Sequence, residues 1–481
     1  MTAAVAAFVL ASLLYPYRHG HAAQVTDKAL GISDFGAFYC AALVHREGAD
    51  PYLLAPLKAC EVERVYGPSG SSYQQHGGVD PAPLPPYVLG LFEPFTFLPY
   101  RIAGLLWLAI LIAVTFATAP LLARLTNIPN WVALAFLGAG ASNSFVFGQT
   151  QPLLTLSLVG AALLLRSGRT LWAVVALAPT LIEPHVALPP MLSLFFWSRG
   201  ARGPVALLAA GFVALSLAFG GLPFNLEYLT RVLPAAGYSE LTDPIQYGLS
   251  AVLWALGAPI AVALQVGAFQ YVALAIVSIV ASGLLARRIG RPALVLLTAA
   301  AAVLGGVYIH ATQMPSALPF ALYLASTAPE LSALAWIGAI LITLHWPALV
   351  ETKLTLPLTA AVLFGTAVSL GKKFAPSVRV AIACAAFAAY LASGIAMRHL
   401  PATPLRALGS PSAVATSGYD PELASTQAAV EARMPPFFGP TPSNLAARTP
   451  TWLGLLLIVG AGLAASFRRS PSENAAASAV S

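Results

Sequence analysis

An all-α polytopic membrane bundle is the predicted fold, with a large first outer loop and short re-entrant or broken helices. Three observations predict it. The 481 residues are 58% hydrophobic and only 9% charged, against about 25% charged in ordinary soluble domains. Apolar stretches of about 17 to 25 residues recur along the chain, the length that crosses a ~30 Å hydrocarbon core. The alternating pattern of a lipid-facing barrel is missing, so the backbone must satisfy itself within helices.

The formal charge of +7 comes from Lys and Arg scattered through short loops. It forms no basic stripe for nucleic acid and fits positive-inside bias. The cytoplasmic fixed points are then Arg124, Arg166 with Arg169, Arg199 with Arg202, Arg287, Arg288 and Arg291, then Lys372, Lys373 and Arg379, and finally Arg468 and Arg469. Threading apolar segments between them puts the N-terminus inside, with Met1 to Tyr17 read as a retained first helix and 18–101 as the outer loop. Segments 102–123, 131–147 and 152–165 follow, with Gly148 to Gln151 turning outside.

Basic residues flank 170–197 at both ends, which one crossing would place on opposite sides. A hairpin resolves the conflict, broken by Pro179, Pro184, Pro189 and Pro190 near Glu183 and His185. Next come 203–221, a polar loop at 222–248, then 259–286 and 292–309, which brings Tyr308, His310 and Gln313 to the side of Asp34. Segments 315–328, 331–349, 355–370, 376–396 and 451–467 bring the total to about fourteen crossings. The domain reading is a catalytic bundle over 1–396, a Pro-rich outer loop or lid over 397–450 containing Pro435 to Pro440, a last helix at 451–467 and a cytoplasmic tail at 468–481.

The run Ser33 to Leu54, SDFGAFYCAALVHREGADPYLL, places a carboxylate at Asp34 where the first outer loop meets the membrane face. Asp34, Asp50 to Leu54, PPYVLGLFEPFTFLP at Pro85 to Pro99 and GQTQPLL at Gly148 to Leu154 resemble glycosyltransferase family 87, of the GT-C superfamily. That resemblance implies a polytopic transferase at the outer face of a bacterial plasma membrane. It would move a hexose or pentose from a polyprenyl-phosphate sugar to a lipid or glycan acceptor, mannose and arabinose being the candidate sugars, with no metal or other cofactor. The chain departs from the family's pattern in three places. Glu183-Pro184-His185 stands where Lys-Pro is common, Gln246 to Ser250 where Asn-Gln-Ser is common, and YIHATQMP keeps His310 but offers Gln313 in place of an aspartate.

In the implied chemistry Asp34 takes the proton of the acceptor hydroxyl as it attacks the anomeric carbon, with inversion. His310 stands against the carrier phosphate. Arg46, Arg64 and Arg101 are further anion-binding candidates, and Gln149, Gln151, Gln246, Gln313, Glu183 and His185 are candidates for contacting sugar or acceptor. Each has a plainer reading. Asp34 next to Ser33 caps a helix, His310 packs against a carbonyl, Glu183 pairs with His185, and the glutamines solvate a turn. Trp107, Trp131 and Trp172 read as interface or packing aromatics. Cys40 and Cys60 either bond to each other or stay as thiols, and Cys384 stays reduced within an apolar helix. Competing functions are a transporter or lipid flippase with Asp34, Glu183 and His185 as coupling groups, and a catalytically inactive scaffold.

Overall fold

A computed structural model describes residues 33–66, 82–241, 246–344, 355–370, 375–401, 403, 405 and 441–467. The expected first helix, most of the Pro-rich loop, Lys372, Lys373, Arg468, Arg469 and the tail lie outside the described residues. The described chain is helical, and its one pairing of extended segments is an isolated antiparallel bridge between Gln246 and His310.

In chain order the helices are α1 Ser33–Arg46, α2 Leu54–Cys60, α3 Pro86–Phe92, α4 Tyr100–Thr126, α5 Asn130–Gly140, α6 Ser142–Phe147 and α7 Gln151–Arg166. Then come α8 Thr170–Leu177, α9 Pro184–Trp197, α10 Arg199–Glu227, α11 Leu233–Ser239, α12 Leu249–Ala255, α13 Ile260–Ile289 and α14 Ala293–Gly305. The series closes with α15 Leu318–Thr327, α16 Ser332–Thr343, α17 Thr355–Leu370, α18 Pro376–Arg398 and α19 Pro442–Phe467. Short 3-10 turns link several of them, and π turns follow α2 and α10.

Five helical stretches among the described residues are long and apolar enough to cross a membrane: 100–126, 199–232, 260–289, 376–397 and 444–467. A sixth span is possible if 311–327 and 329–343, which meet at a bend of 119°, count as one broken crossing. The expected total of about fourteen crossings counted two short hairpin helices and a first helix outside the described residues; among the described residues it is not reached by helices each long enough to span. Apolar length in the sequence was divided by Pro and Gly into helices too short to span alone, such as α5, α7 and α14. The expected crossing at 131–147 is itself broken at Ala141, between α5 and α6.

The 170–197 hairpin forms as two short helices. Helix α8 runs into a 3-10 turn at Ala178–Ile182, Glu183 leaves helical geometry (φ −121°, ψ 85°), and α9 begins at Pro184. Pro189 and Pro190 sit inside α9 rather than breaking it. Arg291 shows why both hairpin ends share one face: its Nη2 donates to Thr170 Oγ1 at 2.9 Å and to Ser198 Oγ at 3.0 Å. The same end gathers Arg166, which donates to the carbonyls of Leu125 and Arg124, and Arg288, which donates to Ala465. Cations placed on helix-terminal carbonyls complement the dipoles there. Arg124, Arg166, Arg288 and Arg291, which the sequence placed on one side, therefore share one end of the bundle.

The stretch after 221 is helical through Ser239, not a polar loop. Gly221 kinks α10 with φ 55° and ψ −174°, a backbone that favours glycine. Asn225 takes up the carbonyls near the kink, its Nδ2 donating to Ser216 O at 2.8 Å and Gly221 O at 2.6 Å. The last helix starts at Pro442, nine residues before the expected crossing, so the end of the Pro-rich segment is helical.

Cys40 and Cys60 are disulfide-bonded, which closes the question left by the sequence. The bond joins α1 to α2. Cys384 is a free, exposed thiol. Burial pushes the Tyr39 phenol above its ordinary pKa and keeps it a neutral donor, bonded to Leu98 O at 2.9 Å. Replacing Cys40 and Cys60 with Ser should cost about 2–4 kcal/mol by releasing the closed loop. A fall in the thermal midpoint of the purified protein checks this, together with alkylation of the parent at Cys384 alone without reductant and at two further cysteines after reduction.

Candidate functional site

The site is built where the apex of the α8–α9 hairpin meets the start of α7 and the segment before α15. Trp107 on α4 donates from Nε1 to Gly148 O at 2.7 Å, and Gly148, with φ 75°, turns the chain out of α6. That turn delivers Gln149, Thr150 and Gln151 in succession, and each side chain reaches a different place.

Gln149 Nε2 donates to Asp34 Oδ2. Thr150 Oγ1 donates to Glu183 Oε1 at 2.7 Å, and Gln151 Nε2 donates to the same oxygen. Gln313 Nε2 donates to Glu183 Oε2 at 2.9 Å. Glu183 is thus a carboxylate only 9% exposed, with donors from two other elements on its two oxygens. The ring of His185 lies 3.9 Å away at Nε2, sits tilted at 57° to the Tyr308 ring with centroids 5.5 Å apart, and contacts Gln313 Nε2 at 3.1 Å. Tyr271 fixes the apex backbone by donating to His185 O at 2.7 Å.

Gln313 carries the network onward. Its Oε1 accepts from His310 N at 2.8 Å, and the His310 ring accepts from the Gln313 backbone N–H, a reciprocal capping box on the 3-10 turn Ala311–Ser316. One ring nitrogen of His310 is therefore an acceptor. The other, Nε2, carries the proton and donates to Glu240 Oε2 at 2.8 Å. Gln246 Nε2 donates to that same carboxylate at 2.5 Å while its Oε1 accepts from Ile309 N at 2.8 Å. Ser316 closes the other side by donating to Gln151 Oε1 at 2.8 Å.

Asp34 is in the first turn of α1, where a negative charge meets the helix dipole. Its neighbour Phe35 is fully buried and sets its position. The Phe35 ring stacks on Trp107 at 5.7 Å and on Tyr100 at 6.0 Å, and meets Phe95 edge-on at 5.8 Å. Trp107 thus holds both partners of the Asp34–Gln149 contact, one by its ring and the other through Gly148.

Six of the expected residues are joined in one network: Gln151, Glu183, His185, Gln313, His310 and, through Glu240, Gln246; Gln149 bonds Asp34 as a separate pair two residues along the chain from Gln151. The three arginines are not brought into it by any of these contacts. Arg46 lies over the Phe97 ring at 4.6 Å, and Arg64 and Arg101 are exposed. Thr150 and Glu240 were missed by the sequence reading. The signal for Glu240 was an acid inside the stretch 222–248, already marked as polar.

Broken helices, a hairpin with both ends on one face, and a polar network buried at its apex define a polytopic membrane protein with an internal site at one end of the bundle. Residues 84–310 match the model of glycosyltransferase family 87, so over that region the chain is similar to a family of membrane glycosyltransferases. Asp34 and the disulfide precede the matched region, His310 ends it, and Gln313 follows it. No curated protein and no solved structure matches the chain.

Glu183→Gln keeps size but turns an amide N–H₂ toward groups that donate. It should destabilise the protein by about 2–3 kcal/mol, the range for losing hydrogen bonds to a charged group. Thermal unfolding in detergent checks this against Glu227→Gln, whose partner Arg231 is exposed and which should shift the midpoint little.

Proposed function

We propose that the chain transfers a hexose or pentose, mannose and arabinose being the candidates, from a polyprenyl-phosphate sugar to a lipid or glycan acceptor at the outer face of a plasma membrane. Asp34 is the general base. The observation that carries this reading is the Asp34–Gln149 contact: it ties an acid at the start of α1 to the turn that feeds the Glu183 network. The Cys40–Cys60 bond supports the outer side, since disulfides persist in oxidising compartments.

The acceptor hydroxyl oxygen bonds to the anomeric carbon as the bond from that carbon to the phosphate oxygen breaks. The hydroxyl proton passes to the Asp34 carboxylate and the carrier leaves as a polyprenyl phosphate anion, which gives inversion in one displacement. An aspartate is a weak base toward a hydroxyl, so proton transfer must accompany attack in a site that holds both substrates in line. Gln149 orients the carboxylate for this.

His310 serves the phosphate. Its Nε2–H is held by Glu240, so an arriving phosphate oxygen takes the place of the Glu240 carboxylate as acceptor. Glu240 then acts as a resident stand-in for the donor's negative charge, keeping the imidazole oriented between turnovers.

Asp34→Asn preserves size and removes the base. Transfer from defined polyprenyl-phosphate sugars should fall by roughly 10²- to 10⁴-fold with unfolding behaviour unchanged, and full activity would remove Asp34 from the mechanism. Substitutions of the pair should move donor KM in opposite directions. Glu240→Gln lowers it by about two- to tenfold by removing a competing charge, and His310→Gln raises it. Parallel shifts would refute the exchange.

A further inference from the structure

At the end of the bundle gathered by Arg291, far from the Glu183 network, an open hollow of about 400 Å³ is lined by Arg124, Leu163, Leu164, Arg166, Ser167 and Arg169. We propose that this hollow binds the phosphate of an anionic phospholipid headgroup. Helix α7 separates it from the network: the 16 residues from Gln151 to Arg166 span about 24 Å at 1.5 Å each.

Three guanidinium groups and no carboxylate line the hollow, so its charge is of one sign. The three arginines do different things. Arg166 is committed to the fold, donating to Leu125 O at 3.1 Å and Arg124 O at 3.0 Å at the C-terminal end of α4. Arg124 and Arg169 are exposed. Both line the hollow with Arg166, and a guanidinium is a planar donor fork that grips a phosphate through two parallel hydrogen bonds.

The apolar part of the lining argues for a lipid over a soluble anion. Leu163 and Leu164 form one wall. On α8, just past Arg169, Leu171 is 52% exposed and Trp172 is 60% exposed. Cations beside exposed Leu and Trp match the boundary between headgroup and acyl chain, where tryptophan is enriched. A zwitterionic choline headgroup would bring its own cation against the arginines, so selectivity for net negative lipid follows.

The test uses the full-length protein, delipidated in detergent and examined by native mass spectrometry after incubation with phosphatidylglycerol, phosphatidylcholine or inorganic phosphate. The parent should retain phosphatidylglycerol over phosphatidylcholine, and Arg124→Gln/Arg169→Gln should weaken that retention by roughly tenfold. Arg166 is left intact because it holds helix carbonyls. If the double variant unfolds, Arg169→Gln alone should weaken retention at an unchanged thermal midpoint. Equal retention by parent and folded variant overturns the proposal. So does displacement of the lipid by millimolar inorganic phosphate, which would mark a free-anion site. Transfer activity is not the readout, so the outcome is independent of the role assigned to Asp34.

Discussion

A carboxylate buried in a membrane bundle is tolerable only when donors surround it, and the arrangement about Glu183 follows from that constraint. Burying such a group without partners is costly, and lipid offers none. Here Thr150 and Gln151 come from the start of α7, and Gln313 comes from the turn before α15. The hairpin apex is therefore fixed to two elements that are distant in sequence. Because Gln313 also caps against His310, and His310 reaches Glu240, the position of the Glu183 carboxylate is passed on to the far side of the site.

The hairpin is held at both ends by side-chain hydrogen bonds. Arg291 clasps Thr170 and Ser198 at the open end, and Glu183 gathers its donors at the closed end. Between these points Ser193 of α9 shares a hydrogen bond of 2.8 Å with Ser282 of α13, and the rest is apolar packing, which in lipid gives little directional preference. The polar contacts thus supply the register that packing alone would leave loose. Helix α1 is positioned by a different device, with the Cys40–Cys60 bond near its middle and the stacked Phe35, Tyr100 and Trp107 rings at its start.

Glu240 and His310 illustrate how a site can hold its geometry without substrate. The imidazole accepts on one nitrogen and donates on the other, so its tautomer is set by two fixed partners. A negatively charged substrate arriving at His310 would exchange one anionic acceptor for another. That exchange costs less reorganisation than creating a new orientation of the ring.

By itself the sequence determined the all-α membrane class, the hairpin at 170–197 and the common end of Arg124, Arg166, Arg288 and Arg291. Those follow from composition, length and charge, which are properties of the chain summed over many residues. The resemblance to glycosyltransferase family 87 was also legible, in short motifs of which Pro85 to Pro99 and Gly148 to Leu154 fall in the matched region while Asp34 and Asp50 to Leu54 precede it. The number of full crossings was not legible, because hydropathy measures apolar length and not where Pro and Gly bend or end a helix. Nor was the helix after Gly221, where polar residues suggested a loop while Asn225 satisfied the kinked backbone. Only the tertiary structure decided that Gln149 serves Asp34 while its neighbours Thr150 and Gln151 serve Glu183, and that Glu240 is the partner of His310. Side-chain hydrogen bonds reach about 3 Å, and which groups come that close depends on how distant helices pack, a relation that local pattern does not carry.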